Sequence, residues 1–329
     1  MARTTWDGLP IADDRPFGAA VVVRRPGELG DEYLVLHRAH HGPDFAGDWA
    51  WTPPTGARQP GEPILDGALR ELEEEAGITG VDIWPVDLSG DWARFCVDVP
   101  PDTAVNLMDV EHDSFAWVSA EEAIRRCTPD PIGAGIERTD RIPSCQLEFR
   151  PMIRDDLSRL LQWHNAPHAA EWFADGPRDI AAAEAKYGPR IDGVAPVRVE
   201  VVEIDGIAAG YLQRYLTRDH PEYAVAARDN DAAAIDYLIG EPRLVERGIG
   251  TRMIWHYVRD VVFPAYPRVP RIIASPDARN TRSIRALEKA GFTRARPAAA
   301  PGRLDREYFC VLDRRRVLGC NAASAAPQS

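Results

Sequence analysis

Glu71, Glu74 and Glu75 stand three and four residues apart. On an α-helix that spacing gathers them on one face, where like charges destabilise an isolated helix. A hard divalent cation, Mg²⁺ or Mn²⁺, relieves the repulsion because such ions prefer carboxylate oxygens. Arg70, next in the chain, can hold one carboxylate in place. Gly56 lies in the glycine-bearing loop before the helix, where a bare backbone carbonyl can approach a metal.

A second chemistry is written in Arg247-Gly248-Ile249-Gly250-Thr251. Backbone N–H groups at the start of a helix form an anion site, and glycines let a phosphate come close. Taken alone, Gly-x-Gly is more often an ordinary turn. A third feature is Asp236, inside the apolar run Ala232–Ile239. A carboxylate so placed needs a partner or a role.

The elements that must position these residues follow from the pattern. Residues 19–23 and 33–37 read as strands. A Gly/Pro-rich loop covers 51–61, and a helix runs from Glu62 to Ala76, stopped by Gly77. Strands near 81–84, 93–97 and 114–118 and a short helix near 120–126 follow. Residues 127–145 show no period and read as a linker. Beyond it lie a strand at 147–150 and a helix carrying Leu157, Leu160, Leu161 and Trp163. A hairpin turns at Asp205-Gly206, and a strand covers 232–239. A helix from Gly248 to Val262, a strand at 271–274, a helix at 281–290 and a strand at 307–312 complete the pattern.

The segment from Gly56 through Glu62, Arg70-Glu71-Leu72-Glu73-Glu74-Glu75, Gly77 and Ile78 resembles the Nudix box at each fixed position. A charge run by itself would read as a solvated helix face; the complete box overrides that reading. The resemblance spans about 17–125 and implies an α/β/α sandwich that hydrolyses a nucleoside diphosphate derivative. It implies Mg²⁺ or Mn²⁺ on Glu71, Glu74, Glu75 and Gly56, polarising the phosphoryl group and activating water. Glu74 is the catalytic candidate on the helix. In this family a downstream carboxylate often assists as base, and Glu111 is the candidate here.

The second half resembles the GNAT acetyltransferases, and among them the aminoglycoside 6′-N-acetyltransferases. The carriers are Phe149-Arg150-Pro151-Met152, Trp163-His164-Asn165, the Arg247–Thr251 turn, and Asn280 followed by Ser283–Phe292. The resemblance covers about 147–313 and implies an α+β fold with a central mixed sheet. It implies acetyl-CoA, its diphosphate on Arg247, Gly248, Ile249, Gly250 and Thr251, and Asn280 near the pantetheine arm. Asp236 matches the general base that frees an amine for attack. Three positions depart from the pattern. Val245 replaces the usual glutamine or arginine, Leu287 the tyrosine that protonates the leaving thiolate, and Ser275 an aspartate. Ser283, Cys310 and Tyr308 are conceivable substitutes for the acid.

Length and composition frame the reading. The 329 residues predict two domains, taken as 1–142 and 146–318, with 319–329 a disordered Ala/Ser/Pro-rich tail. Net charge is −12, and residues 1–145 hold 27 acids against 12 bases. That half is therefore a poor nucleic-acid binder. No apolar run suits a membrane, and the opening residues form no secretory signal. Five scattered cysteines without a C-x-x-C pair point to the cytoplasm. The expected partners are small molecules, with no nucleic acid and no membrane; oligomeric state is left open. The leading reading is a bifunctional enzyme. The alternative keeps one active domain, with the other binding a nucleotide or CoA as a regulatory module.

Overall fold

A computed structural model describes residues 4–5, 8–39, 42–173, 176–297 and 307–319. The expected tail lies outside them except for Gly319. The chain divides into two compact units, one built mainly from Met1–Ser144, the other mainly from Cys145–Glu288 and Phe292–Arg314.

The first unit comprises β1 (Gly18–Gly27), β2 (Gly30–Arg38), β3 (Trp51–Thr52), β4 (Thr55–Ala57), α1 (Ile64–Ala76), β5 (Trp84–Asp87), β6 (Trp92–Asp98), β7 (His112–Ser119), α2 (Ala120–Arg126) and α3 (Asp130–Asp140). Its mixed sheet runs β3-β2-β1-β6-β5, with β4 paired to β1 and β7 to β2. β1 and β6 are parallel; the other pairs are antiparallel. Helix α1 buries Ile64, Leu65, Ala68, Leu72 and Ala76, the periodic apolar face expected of it. It ends at Gly77, in the left-handed region at φ 66°, whose N–H donates to the Glu73 carbonyl.

Residues 127–145 are not a linker. α3 packs beside α2, and Ile136 is buried with Val22, Tyr33, Val35, Ala123 and Cys127. The Tyr33 hydroxyl meets Asp140 at 2.7 Å, and buried Arg24 donates to the Ile142 carbonyl at 2.8 Å. The apolar residues of this stretch are too few and too broken by Pro and Gly for periodicity to reveal the helix. Its partners in β1 and β2 lie about a hundred positions away.

The second unit comprises β8 (Leu147–Pro151), α4 (Leu157–Asn165), α5 (Pro167–Ala170), α6 (Ile180–Ile191), β9 (Val197–Ile204), β10 (Ile207–Leu216), α7 (Pro221–Ala227), β11 (Ala233–Ile239), α8 (Ile249–His256), α9 (Phe263–Ala265), β12 (Arg271–Ala274), α10 (Thr281–Lys289), β13 (Thr293–Pro297) and β14 (Tyr308–Asp313); α11 (Arg314–Leu318) follows. Its mixed sheet has the order β13-β14-β12-β11-β10-β9-β8. The β9–β10 hairpin turns through Asp205 (φ 50°) and Gly206 (φ 73°), the two positive φ values that the Asp-Gly pair predicts. The helix expected over 248–262 is α8 followed by a π-helical stretch, Tyr257–Val262. Met152, Leu157, Leu160, Trp163, Tyr187, Val199, Val201 and Tyr211 belong to its core.

Among the described residues no helix is long and apolar enough to cross a membrane, and no disulfide joins Cys96, Cys127, Cys145 or Cys310.

Candidate functional sites

In the first unit α1 lies against β4, and that contact builds the acidic site. Glu71 and Glu75 face inward, 8% and 4% exposed, while the Glu74 side chain is 54% exposed. Glu75 Oε2 accepts the Thr55 N–H at 2.8 Å. The Glu71 carboxylate lies flat on Gly56, where a Cβ would collide with it. Arg70 does more than hold one carboxylate. Its Nη1 donates to Glu71 Oε1 and Glu74 Oε2, both at 2.8 Å, while Nε reaches Glu62 at 2.9 Å and Nη2 the Ala57 carbonyl at 2.9 Å. Glu62 in turn accepts the Gln59 N–H at 2.8 Å, so it orients Arg70 from behind.

Burial is the main electrostatic cost at this site. It pushes the Glu71 carboxyl up to about 7, against the pull of Arg70 and with the help of Glu74 and Glu62. Burial also raises Glu75 well above the carboxylate range, opposed by the Thr55 N–H and reinforced by the charges of Glu71 and Asp109. Arg70 reaches Glu71 and Glu74, and the Thr55 N–H reaches Glu75, yet burial outweighs these contacts at both inward carboxylates, so the donor set fits a divalent cation.

Glu111 is half-buried. Its N–H donates to Asp109 Oδ1 at 3.1 Å, and its carbonyl accepts the Ala39 N–H at 2.7 Å. The residues brought to Glu75 are instead Asp109 and His112, one ligand atom of each of the three lying within 4.8 Å of the other two. His112 Nδ1 is 3.2 Å from Asp109 Oδ1, and burial lowers its pKa against the Asp109 charge. The spacing Asp109-x-x-His112 ahead of a strand was the available sequence signal.

In the second unit the turn before α8 is strained. Glu246 (φ 64°) and Gly248 (φ 76°) are both left-handed, and Gly248 caps the helix. Ile249, Gly250 and Thr251 open α8 with N–H groups that lack a carbonyl one turn back. Arg247 is exposed beside them. The Ile249 side chain is buried, and Thr251 Oγ1 points inward to the Ala286 carbonyl at 3.5 Å. These two residues therefore offer a ligand their backbone alone. A Cβ on Gly250 would meet only ordinary contacts, at 3.4 Å from Ile239 and 3.8 Å from Ala286, so packing does not demand that glycine.

β11 pairs with β12 only at Ala233–Ile272 and Ala234–Ile273. The two parallel strands then part, and residues 235–239 of β11 have no β12 partner. Asp236 sits just past the divergence, half-buried, opposite Gln213 of β10. Tyr211, Tyr215, Tyr223 and Tyr237 all lie within reach of its charge, which adds to burial in holding their hydroxyls protonated. Asn280 Oδ1 accepts the Ser283 N–H at 3.0 Å, the work of a helix cap.

Leu287 is fully buried in α10. One turn earlier Ser283 Oγ meets the Tyr237 hydroxyl at 2.6 Å. Ser275 is likewise engaged, accepting from the Tyr223 hydroxyl at 3.2 Å. Burial, then Glu288, pushes the Cys310 thiol up to about 12.

The folds and sites described here define two known domain classes. Residues 14–136 match the NUDIX domain family and residues 152–299 the acetyltransferase (GNAT) domain family, so the chain joins one domain of each. The second half is similar to aminoglycoside N(6')-acetyltransferase type 1 of Klebsiella pneumoniae, 28% identical over 156 residues, 46% of this chain and 77% of that protein. Among solved structures, aminoglycoside acetyltransferase AAC(6')-Ib in complex with coenzyme A is 26% identical, with TM-score 0.44, over 52% of this chain and 96% of that one. A C. elegans Ap4A hydrolase binary complex is 26% identical, with TM-score 0.32, over 37% of this chain and 94% of that one.

Proposed function

We propose that the chain is a bifunctional enzyme. Its first domain hydrolyses a nucleoside diphosphate derivative, and its second transfers an acetyl group from acetyl-CoA to the amine of a small polar molecule. For the first activity the carrying observation is the pair of inward carboxylates, Glu71 and Glu75, beside Arg70. Glu71, Glu74, Glu75 and the Gly56 carbonyl would hold Mg²⁺ or Mn²⁺, which when bound supplies Lewis-acid polarisation and an acidified water. Arg70 and Glu62 fix the carboxylates. In this reading Glu74, the most exposed of the three, takes the proton of the attacking water, and Glu111 is a second base candidate.

For the second activity the carrying observation is the half-buried Asp236 at the divergence of β11 and β12. The first-turn N–H groups of α8, with Arg247, would bind the diphosphate of CoA. The β12-facing edge of β11 beyond Ala234, its other edge being paired with β10, would receive the amides of the pantetheine arm, with Asn280 as a further polar contact. Asp236 accepts a proton from the acceptor's ammonium, freeing the lone pair that attacks the thioester. The likeness to the Klebsiella enzyme supports an aminoglycoside 6′-amine as acceptor. Two acids near β11 that could attract such a polycation are already engaged. Asp229 is paired with Arg271 at 2.6 Å, and Glu241 accepts from the Trp163 indole at 3.2 Å.

One experiment addresses both activities. The purified chain is assayed for divalent-dependent hydrolysis of nucleoside diphosphate derivatives and for CoA release with aminoglycosides, polyamines and amino acids. Glu74→Gln should lose at least ~10²-fold in hydrolysis alone. Asp236→Asn should lose ~10²–10⁴-fold in acetyl transfer alone while CoA still binds. Unchanged turnover in either variant would reject the corresponding assignment. CoA binding without any acetylated amine would leave the second domain as a regulatory module.

A further inference from the structure

His37 lies on the face of β2 that also carries Tyr33 and Val35, the side covered by α2 and α3. It is 3% exposed, and both ring nitrogens meet oxygen atoms. Nδ1 is 2.7 Å from Asp113 Oδ1 in β7, and Nε2 is 2.8 Å from the Phe45 carbonyl oxygen. A carboxylate and a carbonyl only accept. Making both bonds therefore needs a proton on each nitrogen, which only the imidazolium has. Phe45 belongs to residues 42–49, the loop between β2 and β3, where Pro43, Asp44 and residues 46–49 are exposed. The loop is also tied by local turns, the Phe45 N–H donating to the Gly42 carbonyl and the Ala50 N–H to the Gly47 carbonyl, each at 3.1 Å. At its far end the Trp49 N–H donates to the Thr128 carbonyl at 2.7 Å. A segment with so little buried surface depends heavily on each tether.

We propose that His37 is a pH-operated latch, holding the 42–49 loop while doubly protonated and releasing it at Phe45 on losing one proton to solvent. The neutral ring keeps Asp113, because a carboxylate binds an N–H more strongly than a carbonyl does. The proton therefore leaves Nε2, whose lone pair then faces the Phe45 oxygen, and two acceptors repel. Burial opposes the charged ring, but the Phe45 carbonyl and then Asp113 outweigh it and raise the His37 pKa. With a raised folded value, the tie is fully present below the unfolded value of about 6.5 and is lost as pH rises through the folded one. Of the other charges nearby, Asp44 flanks Phe45 and Asp48 lies further along the loop, both exposed. Arg126 of α2 lies over the Trp51 ring at 5.1 Å, and the His37 ring tilts against the same indole at 4.8 Å. Arg126 is itself paired with Glu122. The latch is independent of the hydrolysis assigned to the acidic site.

The test uses the full-length chain. Nitrogen NMR on histidine-labelled protein should show protons on both His37 nitrogens at about pH 6 and on Nδ1 alone at about pH 9. Over the same range, hydrogen exchange corrected for its intrinsic pH dependence should show the Phe45 and Ala50 amides losing ~10–100-fold of their protection, the range for a hydrogen bond to a charged group. His37→Gln, which does not titrate, should make that protection independent of pH. Asp113→Asn should move loop release to lower pH. Circular dichroism checks that both variants fold; if either does not, the wild-type titration and exchange still decide. A single proton on the His37 ring at about pH 6, or both protons kept at about pH 9, would overturn the proposal. So would full loop protection after His37 has lost its proton.

Discussion

Replacing Gly56 with alanine tests how closely the acidic site is built. The new Cβ would occupy the place of the Glu71 carboxylate. Gly56 itself cannot retreat easily, because β4 is paired with β1 through Ala19. The mobile partner is the end of the Glu71 side chain. Swinging it away breaks its 2.8 Å contact with Arg70 and leaves a buried carboxylate to find new partners. Overpacking of this kind costs about 1–3 kcal/mol, and the flexible glutamate puts the expected loss near the lower end. For a domain of this size that lowers Tm by roughly 3–8 °C. The larger effect falls on hydrolysis. A metal ligand displaced by more than an ångström should cost at least ~10²-fold, as in direct removal of the ligand. Calorimetry and a divalent-dependent hydrolysis assay read the two effects separately. In a Glu71→Ala background the collision is gone, so Gly56→Ala should then cost little further stability, a coupling visible in a double-mutant cycle. Wild-type hydrolysis in Gly56→Ala, or the same stability loss with and without Glu71, would refute the reasoning.

Ile136→Ala should destabilise the first domain by about 2–4 kcal/mol, the usual cost of truncating a buried isoleucine, whereas a linker residue would change stability by less than about 0.5 kcal/mol; urea unfolding of the two proteins decides. Asp156 is the anchor for a pH prediction. Burial pushes its carboxyl up, but two hydrogen bonds from Arg150 at 2.7 and 2.8 Å and the Ile153 N–H at 2.9 Å outweigh it and hold the pKa below the usual value. A lowered folded pKa contributes stability above the unfolded value of about 4 that is lost as pH falls through the folded one. Asp156→Asn should therefore cost about 1–3 kcal/mol at neutral pH, with a Tm gap from wild type that narrows on acidification; a gap independent of pH would refute it.

Much of this protein is legible in local chemistry. The span of α1, its stop at Gly77 and the Asp205-Gly206 hairpin follow from periodicity and backbone preference, which act between near neighbours. The box and the Gly248–Gly250 turn are readable as candidate sites because helix geometry alone gathers their groups. The sequence marked Gly56 as a site residue, but its closeness to Glu71 is set by β4 lying under α1. Three other features needed the tertiary structure. α3 is part of the first unit because Ile136 finds its apolar partners on strands remote in the chain. Asp109 and His112 reach Glu75 only through the pairing of β7 with β2, a long-range register that no local pattern encodes. Asp236 was visible as a carboxylate in an apolar strand, but its tyrosine surroundings were not. They arise from β10 and α7 folding against β11, where burial and shared charge decide which hydroxyls keep their protons.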